Sequence, residues 1–157
     1  MIYIILPAYN EEKNLLQIFK KIDVIRRKLY PFKVILIDDC SSDNTQKLVK
    51  KKYNYQIIYR RHNPNKGLSI TLETGFKLIN KIAKKDDIVV TLDSDDTHPV
   101  SIIPKMVKKI KLGNDLVIAS RFISGSKVNG VTKMRNIMSY GAKILFKIFY
   151  PFKNLND

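Results

Sequence analysis

The sequence predicts an α/β fold: a doubly wound, mostly parallel sheet with helices on both faces. Short β-branched apolar runs alternate with longer helical periods in the order βαβαβαβαβ. The runs are almost continuously apolar, as strands buried on both faces must be. Most of them break off into abrupt polar segments, and in a parallel sheet ligands bind at the carboxyl ends of the strands.

Tyr3–Leu6 reads as the first strand and stops at Pro7. Lys13–Leu29 follows as a helix, with Leu15, Ile18, Phe19, Ile22 and Ile25 at helical spacing; Asn10, Glu11 and Glu12 suit its N-terminus. Lys33–Ile37 is the second strand. Thr45–Lys52 is the second helix, with Ser42 or Asp43 as its cap. Gln56–Tyr59 and Ile88–Leu92 are strands three and four, separated by a helix over Leu68–Lys81. A fourth helix over Ile102–Lys111 ends at Gly113-Asn114, and Leu116–Ala119 completes the sheet as a fifth strand. Gly125–Gly130 reads as a polar loop before a helical stretch from about Val131 to Ile148.

A chain of 157 residues fits one domain, taken as 1–157, with an ordinary core. Cys40 is the sole cysteine, so no intrachain disulfide forms. Met1–Leu6 lacks the basic flank and cleavage site of a signal peptide, and no run reaches the roughly 18 apolar residues of a spanning helix. The net charge of +15 favours polyanionic partners, although a surface solvated by lysine gives the same number. It is lopsided: from Ser101 onward eleven Lys/Arg face only Asp115 and Asp157. No module for reading nucleic acid is legible, so no specific nucleic-acid partner is expected.

The sharpest constellation is Asp93-Ser94-Asp95, directly after Val89–Leu92. Carboxylates at i and i+2 can face the same way and repel unless a cation lies near them. Mg²⁺ or Mn²⁺, hard oxygen-seeking ions, would bridge them to a diphosphate and neutralise charge on a leaving group. A solvated acidic turn, with Asp95 or Asp96 capping the next helix, is the plainer alternative. Asp38 and Asp39 follow the second strand in the same manner, Asp38 as a hydrogen-bond acceptor for a base or ribose, or the whole turn as a helix cap. In Pro7-Ala8-Tyr9-Asn10-Glu11-Glu12, Tyr9 offers an aromatic face for a base and Glu11 an acceptor.

Lys66-Gly67-Leu68-Ser69 lacks the Walker spacing, and no G-x-G-x-x-G occurs, yet a basic helix N-terminus can help hold a diphosphate. Arg121 and Arg135 can stabilise a dianionic group or merely cover surface. His98, before Pro99, orders its loop, and no Ser–His–Asp set is legible.

The ordered set Ile4–Leu15, Ile37-Asp38-Asp39, Asn65–Ser69 with Thr74-Gly75-Phe76, Leu92–Asp95, His98-Pro99 and Ala119–Phe122 resembles the family 2 glycosyltransferases of the GT-A fold. Within them it is most similar to the dolichol-phosphate and polyprenyl-phosphate mannose synthases. The resemblance implies transfer of a mannosyl or glucosyl group from a donor of the GDP-mannose or UDP-glucose class to a polyprenyl phosphate, by inverting displacement. It implies that Pro7, Tyr9, Glu11, Leu36 and Asp38 surround the nucleoside and that Asp93, Ser94 and Asp95 sit at the diphosphate. Asp93 and Asp95 would engage Mg²⁺ or Mn²⁺, and Asp95, Arg121 and Arg135 would be catalytic. The basic final third suits an acidic head group, which places the protein in the cytoplasm, peripheral to the membrane face.

Two departures stand out. Family members commonly carry Gln two positions after the second aspartate, where this chain has Thr97; its shorter hydroxyl would reach a metal only through water. Related enzymes also continue beyond the position of Asp157 into a Ser-Gly-Phe-containing acceptor segment. A nucleotide-sugar-binding module without turnover is therefore the alternative expectation.

Overall fold

The computed structural model describes residues 1–29, 31–51, 53, 56–120, 134 and 138. Contacts divide the chain into two compact units, Met1–Val117 and Ile118–Asp157. The sheet and its helices belong to the first; of the second, Met134 and Met138 are helical and exposed.

In chain order the elements are β1 (Ile2–Ala8), α1 (Glu12–Leu29), β2 (Phe32–Asp38), α2 (Thr45–Val49), β3 (Gln56–Arg61), α3 (Leu68–Ile82), β4 (Ile88–Thr91), a 3₁₀ turn (Val100–Ile102) and α4 (Ile103–Lys111). The strands form one sheet, ordered β3-β2-β1-β4, and every pairing is parallel. Leu6 lies opposite Leu36, and Ile4 opposite Val90. All seven residues of β1 are buried, which is why its sequence shows no polar alternation.

Strand parity divides the core in two. Ile4, Leu6, Val34, Leu36 and Val90 point to one face and pack with Leu15, Phe19 and Ile22 of α1, Leu48 of α2, and Ile103 and Val107 of α4. Tyr3, Ile5, Ile35 and Ile37 point to the other and pack with Ile79 of α3. Helices thus cover both faces. Gly75 lets α3 settle closely, because a Cβ there would lie 2.9 Å from Ile5 Cγ2.

Four expectations change. The first strand does not stop at Pro7 but runs on to Ala8, which pairs with Asp38. Leu116–Ala119 joins no ladder among the described residues, and Leu116 is 76% exposed; an apolar run becomes a strand only where a neighbour takes up its backbone groups. Asn10 does not cap α1. It adopts φ 57° and is tied instead to the β2–α2 loop. α2 closes at Val49, short of the expected end at Lys52. The end of α4 falls as expected: Gly113, at φ 98°, donates to the Ile110 carbonyl, and Asn114 Nδ2 donates to that of Lys109.

Candidate functional site

The chain steps from β1 to β2 to β3, then returns across β1 to form β4. The order therefore reverses between β1 and β4, and the loops leaving these two strands diverge around a crevice. A cavity of about 500 Å³ opens there. Its walls are Pro7 and Ala8 at the end of β1, Tyr9 and Glu11 just beyond it, Asp39 after β2, Asn65, Gly67, Leu68 and Thr71 entering α3, and Asp93, Ser94 and Asp95 after β4.

The rim loops are held in unusual backbone conformations. Asn10, Cys40 and Asp96 are the non-glycine residues with positive φ among those described, and each lies just beyond a strand that feeds the cavity. Asn10 donates its backbone N–H to Ser41 Oγ at 2.9 Å and accepts from the Ser42 N–H at 2.7 Å. The helix starts are cross-linked: Asp43 Oδ2 accepts from the Glu12 N–H, while Glu12 Oε2 accepts from Asn44. Asp43 Oδ1 also takes the Thr45 N–H, although the N-cap position of α2 is Asn44 and not the expected Ser42 or Asp43. Burial opposes the charge of Asp43, but these bonds outweigh it and hold the carboxyl below its ordinary range.

Asp39 organises the opposite wall. It is 4% exposed and accepts from His62 Nδ1 at 2.7 Å, the Lys66 N–H at 2.9 Å and the Gly67 N–H at 2.7 Å. Its own carbonyl takes Asn65 Nδ2. Burial again works against the carboxylate, yet these donors keep its pKa below the usual value. Gly67 holds φ 83°, a conformation that favours glycine, and this brings its N–H onto Asp39 as α3 begins.

Asp38 has a different place. It is fully buried, accepts from the Ser41 N–H, from Tyr59 Oη at 2.6 Å and from Arg61 Nη1 at 3.2 Å, and does not line the cavity. Burial and the bond to Asp38 push the Tyr59 phenol up to about 12, which keeps it protonated as the donor. Leu36 is likewise wholly buried in the core. Both were expected to surround a nucleoside; the structure instead sets Asp39 on the cavity wall. The Asp-Asp pair signalled this position, but sequence alone did not say which carboxylate faces outward. Alternation along β2 puts Asp38 on the same face as Val34 and Leu36, where Tyr59 and Arg61 of β3 meet it, and the chain has left the strand by Asp39.

Across the crevice, Asp93 and Asp95 both line the cavity. Asp95 Oδ1 accepts from the Thr97 N–H at 3.0 Å and from Thr97 Oγ1 at 2.7 Å. Desolvation raises its pKa, but the Thr97 bonds prevail and lower it. Thr97 is thus the residue that orients Asp95 and is absent from the cavity lining. Neither Asp95 nor Asp96 caps a helix: Asp96 instead binds Lys21 Nζ of α1 at 2.6 Å. His98 Nδ1 lies 3.5 Å from Asp93 Oδ2, in keeping with a loop-ordering role.

Ser94 is 3% exposed, and its Oγ has no hydrogen-bond partner among the described residues, an unusual state for a buried hydroxyl beside a cavity. Among the described residues, no three His, Cys, Asp or Glu side chains are placed so that together they could hold a metal ion. Two carboxylates on one loop nevertheless suit Mg²⁺ or Mn²⁺, which are commonly held by one or two carboxylates together with phosphate oxygens. Arg121 and Arg135 lie outside the described residues.

Residues 3–156 match the profile of Glycosyl transferase family 2. A dolichol-phosphate mannosyltransferase of Pyrococcus furiosus is 34% identical over 94% of this chain and 41% of its own length. A UDP-N-acetylglucosamine–dolichyl-phosphate N-acetylglucosaminyltransferase of Methanococcus voltae is 29% identical over 87% of this chain and 56% of its own. The chain therefore spans about half the length of these curated relatives. The solved structure of S. aureus TarS 1–349 in complex with UDP-GlcNAc superposes with a TM-score of 0.57 at 24% identity, covering 71% of this chain and 31% of that one. That likeness concerns the fold, which is GT-A.

Proposed function

This chain belongs to glycosyl transferase family 2, and from that premise we propose that its cavity binds a nucleotide-diphosphate sugar for transfer to a polyprenyl phosphate. The observation that carries the reading is the pairing of Tyr9 and Glu11 on one wall with Asp93, Ser94 and Asp95 on the other, at the sheet's switch point. The relatives named for dolichyl-phosphate transfer support the acceptor class.

Tyr9, 54% exposed at the cavity, presents its ring to the base, and Glu11 accepts from base N–H groups. Asn14 Nδ2, 2.7 Å from Glu11 Oε2, keeps that carboxylate oriented. Asp39 shapes the Asn65–Gly67 wall; its oxygens are already occupied by donors, so its part is positioning. Ser94 Oγ donates to the donor's phosphate side. Asp93 and Asp95 would hold Mg²⁺ or Mn²⁺, which would supply positive charge to offset that of the departing nucleoside diphosphate. Arg121 and Arg135 are assigned to the donor or acceptor phosphates. An acceptor phosphate is already anionic, so its oxygen attacks the anomeric carbon with little need of a general base, inverting that centre. Mannose and glucose are the sugars proposed, and the face of a membrane is the place of action.

Calorimetry with GDP and UDP, with and without Mg²⁺, tests the site. Metal-dependent binding that disappears in Asp95→Ala is expected; binding indifferent to metal and to that substitution overturns the reading. Transfer from GDP-mannose or UDP-glucose to a polyprenyl phosphate tests the reaction, and binding without product would reduce the proposal to a donor-binding module.

A further inference from the structure

Among the described helices, positive charge is concentrated in one of the two layers that cover the sheet. α1 carries six Lys/Arg against Glu12 and Asp23, and α4 carries Lys105, Lys108, Lys109 and Lys111 with no acid at all. α3, on the other face of the sheet, carries Lys77 and Lys81 against Glu73. The buried stripe of α1, Leu15 through Leu29, turns Lys20, Val24, Arg27 and Lys28 outward. Ile103 and Val107 do the same for α4, turning out Lys105, Lys108 and Lys109, followed by Leu112.

Lone exposed apolar residues are ordinary, but these two share a setting. Val24 is 80% exposed and Leu112 73% exposed, each amid lysines or arginines on helices that pack on the same sheet face. The acids nearby are already engaged, Asp96 by Lys21 and Asp23 by Arg26. Among the described residues, the remaining basic heads of α1 and α4 form no ion pair and line none of the cavity walls.

We propose that the outer face of α1 and α4 docks the protein on an anionic lipid bilayer, with the helices lying along the surface. Lysine and arginine heads meet lipid phosphates while their stems and the two apolar side chains enter the boundary between head groups and acyl chains. A nucleic-acid backbone answers the charges but offers nothing to Val24 and Leu112, whereas a bilayer answers both. The proposal rests on the membrane-face part of the proposed function and names the surface that meets the bilayer; nucleotide binding is measured separately, so the two failures are distinguishable.

Sedimentation of the full chain with phosphatidylcholine vesicles, with and without phosphatidylglycerol, tests it. Binding is expected only with phosphatidylglycerol and should weaken as salt rises. The variant K20E/R27E/K105E/K108E should bind about tenfold more weakly or worse. The control K77E/K81E on α3 should bind like the parent. Val24→Asp should lose binding several-fold at fixed salt. If the fourfold variant does not fold by circular dichroism, K20Q/K108Q reads the same difference more mildly. Equal binding of parent and α1/α4 variants, equal loss in the α3 control, or tighter binding to a duplex oligonucleotide than to the vesicles overturns the proposal.

Discussion

His62 Nδ1 lies 2.7 Å from Asp39 Oδ1, joining the end of β3 to the end of β2 beneath one wall of the cavity. Thr74 Oγ1, 3.0 Å from His62 Nε2, continues the chain of contacts into α3. Asp39 is the common acceptor, since the backbone N–H groups of Lys66 and Gly67 also converge on it. A buried carboxylate tying three segments together makes its removal costly for both stability and site shape.

Asp39→Asn should therefore lower stability by about 3 kcal/mol, because an amide cannot accept from every donor that the carboxylate serves. Urea unfolding at neutral pH measures it. A loss below about 0.5 kcal/mol would mean that the Asn65–Gly67 wall is held by other contacts.

Acid should weaken the fold through Asp39 and Asp43. Both carboxyls titrate below their ordinary value of 3.8 in the folded chain. Lowered folded pKa values mean that their contribution is complete above the unfolded value and is lost as pH falls through the folded ones. Melting temperatures should thus hold between about pH 5 and 7 and fall below about pH 4. In Asp43→Asn the acid limb should flatten; an unchanged limb would assign it to other groups.

Thr97→Val should keep the fold and the backbone N–H bond to Asp95 but remove the bond from Thr97 Oγ1. Partners that orient ligating carboxylates typically contribute 10- to 100-fold in metal affinity, so Mg²⁺-dependent nucleotide binding should weaken by about tenfold. Thr97→Ser, which keeps the hydroxyl, should restore most of it. Parental affinity in Thr97→Val would contradict a positioning role.

Gly75 and Gly67 should respond to alanine for different reasons. A Cβ at Gly75 would lie 2.9 Å from Ile5 Cγ2, so Gly75→Ala should cost about 1–3 kcal/mol through overpacking. At Gly67 nothing lies within 4 Å, and Gly67→Ala should cost about 1 kcal/mol through its φ of 83° alone. In a double-mutant cycle with Ile5→Ala, which removes Cγ2, the cost of Gly75→Ala should shrink and that of Gly67→Ala should stay the same.

Thr45 is fully buried at the start of α2, and its Oγ1 has no hydrogen-bond partner among the described residues. Replacement by the near-isosteric valine removes an unsatisfied hydroxyl and should stabilise the protein by about 1 kcal/mol in thermal or urea unfolding. Destabilisation would show that the hydroxyl is satisfied in solution.

Much of this architecture was legible in the residues. Continuous apolar runs such as Ile4-Ile5-Leu6 and Val34–Ile37 cannot rest with one face in water, so a parallel sheet covered on both sides follows from them. The helical spacing of Leu15, Ile18, Phe19, Ile22 and Ile25 likewise names the buried stripe of α1. Leu116–Ala119 had the same apolar look without a ladder, because composition records what a segment can bury and not which neighbour reaches it.

By itself, then, the chain determined its alternation of strands and helices, and the polar segments that had to gather on one rim. Periodicity and parallel pairing leave few other outcomes. Tertiary structure alone decided that Asp39 and not Asp38 faces the cavity, that Thr97 serves Asp95, and that Asn10 clasps a neighbouring loop instead of capping its own helix. These choices depend on where a side chain points once the backbone leaves a strand, and on distances between loops far apart in sequence. Local pattern carries neither.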